Sequence, residues 1–344
     1  MTVAFEVPLA WLGAGSLVRE AAVVCDGGRV IYAGPNASRP QADRVVALEG
    51  FLMPGVADRH VHIRFSDPAA VLLGGVTAVR DLGWVPEEIF PLADASELPS
   101  FNGPLIRAAG PMLTAPGGYP ANAEWAPPGL GRELDGPEDA RAVVGELADG
   151  GAAAIKVALN TDHGPAPSDA VLATIVEAAH RRGLPVTAHT QGRGQAERAV
   201  GAGVDEFAHT PWTERLSDDL LAAAARTSRI VSTLDIHSFG EVTPELKTAC
   251  DNLARFRAAG GTVVYGTDLG NGSIPPGIHV REALLLHEIA RMTPEEVLVA
   301  MTAGPVAAGG PADMVLLGSD PLIRLEALGD VRAVVRSGRV VARP

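Results

Sequence analysis

Cysteine is nearly absent from this chain. Cys25 and Cys250 are the only two, and they lie far apart with no metal-ligand or redox spacing. Each reads as a small buried hydrophobe. No apolar run reaches the roughly 18 residues a membrane helix needs, and no basic stretch precedes the short apolar segment from Val7 to Leu12. A membrane span and a secretory leader are therefore not expected, which predicts a soluble cytoplasmic protein. Basic clusters are missing too: 28 Lys and Arg stand against 41 Asp and Glu, a formal charge of −13. Nucleic acid and anionic membranes are excluded as partners, since phosphate binding needs a basic face. Low-complexity segments and long linkers are also lacking.

What is present is an ordinary globular composition, 47% hydrophobic and 20% charged over 344 residues. That length suffices for one large domain, or a large one with a small companion. Both ends are rich in β signals. Ala21 to Cys25, Asp26-Gly27-Gly28 and Arg29 to Ala33 read as a hairpin. Asp313 to Leu317, Val331 to Arg336, Ser337-Gly338 and Arg339 to Ala342 repeat the pattern. The two ends together predict one small β-sandwich domain from residues 1–52 and 312–344.

Between them, strand-like and helix-like stretches alternate. The expected strands are Phe51 to Asp58, Val76 to Asp81, Leu105 to Ala109, Ala153 to Leu159, Pro185 to His189, Asp205 to Ala208, Ile230 to Leu234 and Thr262 to Thr267. A helix is expected over Ser168 to Arg182, with Ser168 as its N-cap and Gly183 as its stop. Thr293-Pro294-Glu295-Glu296 is a capping box that opens another. Eight such units over about 250 residues predict a (β/α)8 barrel, here residues 53–311. A doubly wound open sheet is the alternative, but no Gly-x-Gly-x-x-Gly follows an early strand. The longest loop-like stretch, Ala115 to Gly136, follows strand three, where barrel loops are usually functional.

The chemistry lies at the strand ends. His60 and His62 end strand one, Lys156 lies in strand four, His189 ends strand five, His209 follows strand six and Asp268 follows strand eight. In a barrel these ends meet on one face. Residues two apart share a strand face, so both imidazoles of His60-Val61-His62 turn inward. Imidazole and carboxylate are ligands that suit a zinc-like divalent ion. One strand-end His is more often a hydrogen-bonded structural residue, but four His, one Lys and one Asp on one rim point to metal. Lys156 interrupts the apolar run Ala152 to Leu159. A buried ammonium beside cations is unfavourable through desolvation and like charge. Reaction with CO2 would give a carbamate (N6-carboxylysine) whose two oxygens can bridge two metals. The alternative is a lysine snorkelling to the rim.

The run Met53-Pro54-Gly55-Val56-Ala57-Asp58-Arg59-His60-Val61-His62 resembles the opening signature of the amidohydrolase superfamily. Gly75 to Asp81, Gly266-Thr267-Asp268 and the terminal Pro311 to Leu317 with Asp320-Pro321-Leu322 are similar to later blocks. The resemblance covers essentially the whole chain and is strongest to the imidazolonepropionase-like branch, which includes prolidase-like amidases. It implies a binuclear site. His60, His62 and Asp268 would hold the more buried metal, His189 and His209 the more exposed one, and carboxylated Lys156 would bridge them. Imidazolonepropionase itself is typically mononuclear and lacks that bridge, so Lys156 argues against that activity. Two departures stand out: Gly117-Gly118-Tyr119 replaces a Gly-Gly-His, and the stretch from Thr302 to Gly310 is short.

A water held between two cations becomes hydroxide near neutral pH. Asp268 would orient it, accept its proton and pass that proton to the leaving group. Tyr119 and His237 are candidate donors to the developing oxyanion. His237 can equally be a surface loop residue. Arg64 could grip a substrate carboxylate, and His163 and Arg193 could line the pocket, though each can also be a solvated loop residue. Arg80 is most simply one half of an internal ion pair. The expected activity is hydrolysis of an amide or cyclic amide of a small molecule. Hydrolysis of esters, lactones or phosphotriesters on the same centre is the alternative, and a non-catalytic scaffold with this fold is a third reading. An acidic barrel with exposed helices often forms homo-oligomers, but nothing in the sequence locates an interface.

Overall fold

The structure, a computed structural model, describes residues 1–341; the expected strand residue Ala342 lies outside them. The chain opens with β1 (Thr2–Trp11), β2 (Leu17–Asp26), β3 (Arg29–Pro35), β4 (Arg44–Ala47) and β5 (Phe51–Pro54). A central run follows: β6 (Val56–Val61), β7 (Val76–Asp81), β8 (Leu105–Ala108), β9 (Met112–Thr114), β10 (Gly131–Glu133) and β11 (Ile155–Asn160). It continues with β12 (Val186–Gln191), β13 (Glu206–Phe207), β14 (Arg229–Val231) and β15 (Thr262–Val264). The chain returns through β16 (Met314–Leu317), β17 (Val331–Arg336) and β18 (Arg339–Val341).

Both ends of the chain share one eight-stranded sheet, ordered β18-β17-β16-β5-β1-β2-β3 with β4 beside β1. The expected hairpin is there, with Asp26 opposite Arg29 in the antiparallel β2–β3 pair. Successive side chains face opposite sides of a strand, and β5 and β16 bury both. Leu52, Met314 and Leu316 join a small cluster with Phe5 and Val23. Phe51, Met53, Val315 and Leu317 pack instead into the large central core.

The expected first barrel strand, Phe51 to Asp58, is in fact two strands. Pro54 ends β5 in the terminal sheet, and β6 begins two residues later, at Val56, in a parallel sheet. Gly55 makes the handover, and a Cβ there would lie 2.0 Å from Thr77 Oγ1.

The central strands form two parallel sheets, β6-β7-β8 and β10-β9-β11-β12-β13-β14-β15. Hydrogen bonds join their edges. His62 N donates to Leu269 O at 2.7 Å and Asp268 N to His60 O at 2.7 Å. At the other side Ala153 N donates to Ala108 O at 2.8 Å. β9 and β10 are not foreseen from the apolar pattern, and β10 lies inside the loop-like stretch from Ala115 to Gly136.

Helices separate most parallel strands. Asp169–Arg181 is capped by Ser168, whose hydroxyl accepts from Val171 N. Pro294–Met301 carries the full capping box between Thr293 and Glu296. Both cysteines are buried and free. Among the described residues no helix is long and apolar enough to cross a membrane.

Candidate metal centre

His60 lies in β6 and His62 one residue beyond it. Asp268 sits in the turn after β15, in a left-handed backbone conformation with φ of 60°. A second carboxylate fixes this arrangement. Asp58 Oδ1 accepts from His60 N at 3.1 Å and Thr267 N at 3.0 Å, and its Oδ2 accepts from Thr267 Oγ1 at 2.5 Å. Gly266 is needed for the close approach, because a Cβ there would lie 3.0 Å from His60 N and 2.3 Å from a Val231 methyl.

The result is a convergence of acceptors. His60 Nδ1 donates to Ala208 O at 2.8 Å and His62 Nδ1 to Gly83 O at 3.1 Å. A carbonyl only accepts, so both Nδ1 atoms carry a proton, and in the neutral rings both Nε2 atoms present lone pairs. Those Nε2 atoms lie 3.1 and 3.4 Å from Asp268 Oδ1. Asn271 Nδ2 satisfies Asp268 Oδ2 at 2.9 Å, while the buried Oδ1 has no hydrogen-bond donor. Only a proton or a metal cation can sit among three such acceptors.

Burial and the charge of Lys156 push His60 well below its ordinary pKa. Burial also lowers His62, but the adjacent Asp268 carboxylate outweighs it and raises that imidazole. Burial opposes ionisation of Asp268, yet His60, His62 and His209 hold it well below the usual carboxylate range. The three residues offer ligand atoms within 4.8 Å of one another, a donor set that fits a divalent metal.

Lys156, His189 and His209 face the same cavity of about 190 Å3. Lys156 is 1% exposed, and burial pushes its amine down to about 7 against the charges of Asp268 and Glu206. His189 and His209 stand edge to face with centroids 5.0 Å apart, and His209 lies 4.6 Å from His60. His209 Nδ1 lies 3.0 Å from Thr233 Oγ1. Burial and the Lys156 charge push His189 down to about 3. Burial and the neighbouring His60 charge carry His209 well below its ordinary value. Both are therefore neutral and able to ligate.

Tyr119 stacks on His189 at 5.2 Å, and His237 packs on Trp212 at 4.5 Å. Both line the cavity. Burial raises the Tyr119 phenol above its ordinary value, so it stays a proton donor. Burial pushes His237 down to about 4, and its Nε2 is buried without a partner. His163 is exposed and shares an outer cavity with Tyr119, Asn122 and Trp125.

The two arginines are not brought to the site. Arg64 Nη2 is held by Glu88 at 2.8 Å, and the Arg193 side chain is 90% exposed near Glu214. Arg80 makes its internal pair with Glu206, at 2.5 Å.

Four cavity neighbours escape the sequence reading. Asn160 Nδ2 and Gln191 Oε1 lie 3.4 and 3.3 Å from His189 Nε2. Asn271 holds Asp268, and Trp212 wedges against His189, His209 and His237. Gln191 carries a usable signal, since it lies two residues beyond His189 on the same strand face.

The sequence profile of the amidohydrolase family matches residues 51–341. The chain belongs to the amidohydrolase family. It is thus a hydrolase of a metal-dependent family, and the His60–His62–Asp268 cluster is a possible metal site within it. A 54-residue stretch is 43% identical to the imidazolonepropionase of Salinispora tropica, covering 15% of this chain and 14% of that one. An uncharacterised protein of Mycobacterium bovis is 27% identical over 283 residues, 72% of each chain. Among solved structures, a protein of Bifidobacterium longum assigned as a prolidase is 26% identical, with a TM-score of 0.85. That alignment covers 100% of this chain and 95% of the other. An ochratoxinase of A. niger shares the fold at 20% identity and a TM-score of 0.83, over 98% of this amidohydrolase and 95% of that chain.

Proposed function

We propose that this amidohydrolase is a binuclear hydrolase that cleaves an amide or cyclic amide C–N bond of a small molecule. The observation that carries the reading is the set of lone pairs on His60 and His62 aimed at the orphaned Asp268 Oδ1. A fully buried lysine facing the same cavity supports a second ion. His60, His62 and Asp268 would hold one ion, His189 and His209 the other, with Lys156 between them.

Held there, two divalent ions, zinc by the preference of these ligands, would supply Lewis acidity for a carbonyl oxygen and lower the pKa of a water. Lys156, with its amine pushed down to about 7, carries a neutral fraction able to attack CO2. An N–C bond forms, one proton leaves the nitrogen, and the product is a carbamate anion. Asp268 takes a proton from the attacking water and returns it to the leaving nitrogen. Tyr119 and His237 donate toward the oxyanion that develops from the carbonyl, and His163 lies on the approach to the cavity.

The two parallel sheets form one closed (β/α)8 barrel over residues 53–311, a reading supported by the hydrogen bonds that join their edges. The terminal segments form a β-sandwich domain beside it, a reading supported by the separate cluster around Phe5 and Leu316.

The Lys156→Ala variant tests the bridge. Its amide hydrolysis should be abolished and partly restored by a short-chain carboxylic acid. Full activity without the acid would remove the carbamate from the account.

A further inference from the structure

The chain is poor in aromatics, at 4%, and has only four tryptophans. Trp212 lines the cavity of the ligand residues, Trp125 lines a neighbouring cavity, and Trp84 backs Phe65. Directly outside the cavity of the ligand residues lies a second one of about 320 Å3, and His62, Tyr119, Asp268 and Asn271 line both. Pockets that hold small organic ligands start at about 300 Å3. Phe65 and Trp125 line this outer cavity together with Asp268, and they are 46% and 48% exposed. Large aromatic side chains left open to water at a cavity mouth are uncommon unless something covers them.

The wall is built rather than incidental. Trp84 stands edge-on to Phe65 at 4.9 Å and donates its Nε1 proton to Glu88 Oε2 at 3.0 Å. Trp125 lies 6.5 Å from Phe65 and 6.0 Å from Tyr119. These are direct ring contacts that fix the wall, and the exposed parts of Phe65 and Trp125 remain open to a guest.

Charge argues in the same direction. No lysine or arginine lines this outer cavity, and its one charged residue is Asp268. Arg64, the nearest sequence candidate for a carboxylate clamp, is spent on Glu88. Arg193 points into solvent. With the ions beside His62 and Asp268 taken up by the scissile carbonyl and the water, a carboxylate on the ring would find no basic side chain in this cavity to pair with, and leaving it there unpaired is costly.

Building on the proposed amide hydrolysis, we infer that the substrate is an uncharged amide carrying an aromatic ring. The ring would lie against Phe65 and Trp125 inside the outer cavity, with no free carboxylate beside it.

The test uses metal-loaded protein and three matched substrates: a neutral N-acyl anilide, its analogue with a carboxylate on the ring, and its N-methyl amide counterpart. The anilide should show at least about tenfold higher kcat/KM than either. In the Trp125→Ala and Phe65→Ala variants the ratio of anilide to N-methyl amide should collapse. Equal or better turnover of the carboxylated analogue would overturn the inference while leaving amide hydrolysis intact. If none of the three is cleaved, the proposed reaction fails, and binding still decides the inference. Titration of the protein's tryptophan fluorescence with the anilide should quench saturably and at lower concentration than with the carboxylated analogue. Absence of that difference would overturn it.

Discussion

At the residue scale, the site depends on atoms placed so that their ordinary partners are missing. Asp268 Oδ1 is the clearest case, buried and facing two imidazole lone pairs. Asp235 is the opposite case, a carboxylate whose partners are all supplied. It opens the turn that carries His237, and it accepts from His279 at 2.7 Å, Arg281 at 2.6 Å and the Ser238 hydroxyl. Burial alone would raise Asp235, but these donors overcome it and hold the carboxyl at about 2, below its ordinary 3.8. A carboxylate depressed in the folded state stabilises it fully above the ordinary value, and that contribution is lost as the pH falls toward the folded value. The Asp235→Asn variant should therefore lose less stability than its parent between about pH 4 and about pH 2, followed by urea unfolding. Parallel pH profiles would show that the three donors do not act on this group.

The site was legible at this scale only where residue type and strand end coincide. His60, His62, Lys156, His189, His209 and Asp268 stand at such ends, and the fold brings all six to one cavity. Arg64 and Arg193 also stand just past strands, but long side chains choose partners by contacts the sequence does not display. Glu88, 24 residues on, captures Arg64. Asn160 and Asn271 gave no signal because an amide at a strand end is the usual turn residue.

At the scale of elements, local chemistry was read most reliably where it is self-contained. Ser168 caps its helix, and Thr293 and Glu296 close their box within four residues. Replacing Thr293 with Ala should cost about 1 kcal/mol of stability, measured by urea denaturation, because an orphan amide of the first turn loses its acceptor. An unchanged midpoint would mean that Glu295 alone holds this end, through Trp11 Nε1 and Gly15 N. Strand limits were harder to read. The apolar run from Phe51 to Asp58 gives no sign that it serves two sheets, because both faces of β5 are buried in different clusters. The short β9 and β10 were hidden for a related reason: three-residue strands are too brief to show a period.

At the scale of the molecule, both ends of the chain are gathered into one sheet, and the central strands run parallel. That arrangement sets the loops after the strands around a single mouth, where His60, His62, His189, His209 and His237 gather with Trp212. We propose that this mouth is built for two divalent ions. Metal content of the purified protein by plasma mass spectrometry tests it most directly. About two divalent ions per chain are expected, falling to about one or fewer in the Lys156→Ala variant. A chain that is fully active with no bound metal would contradict the account.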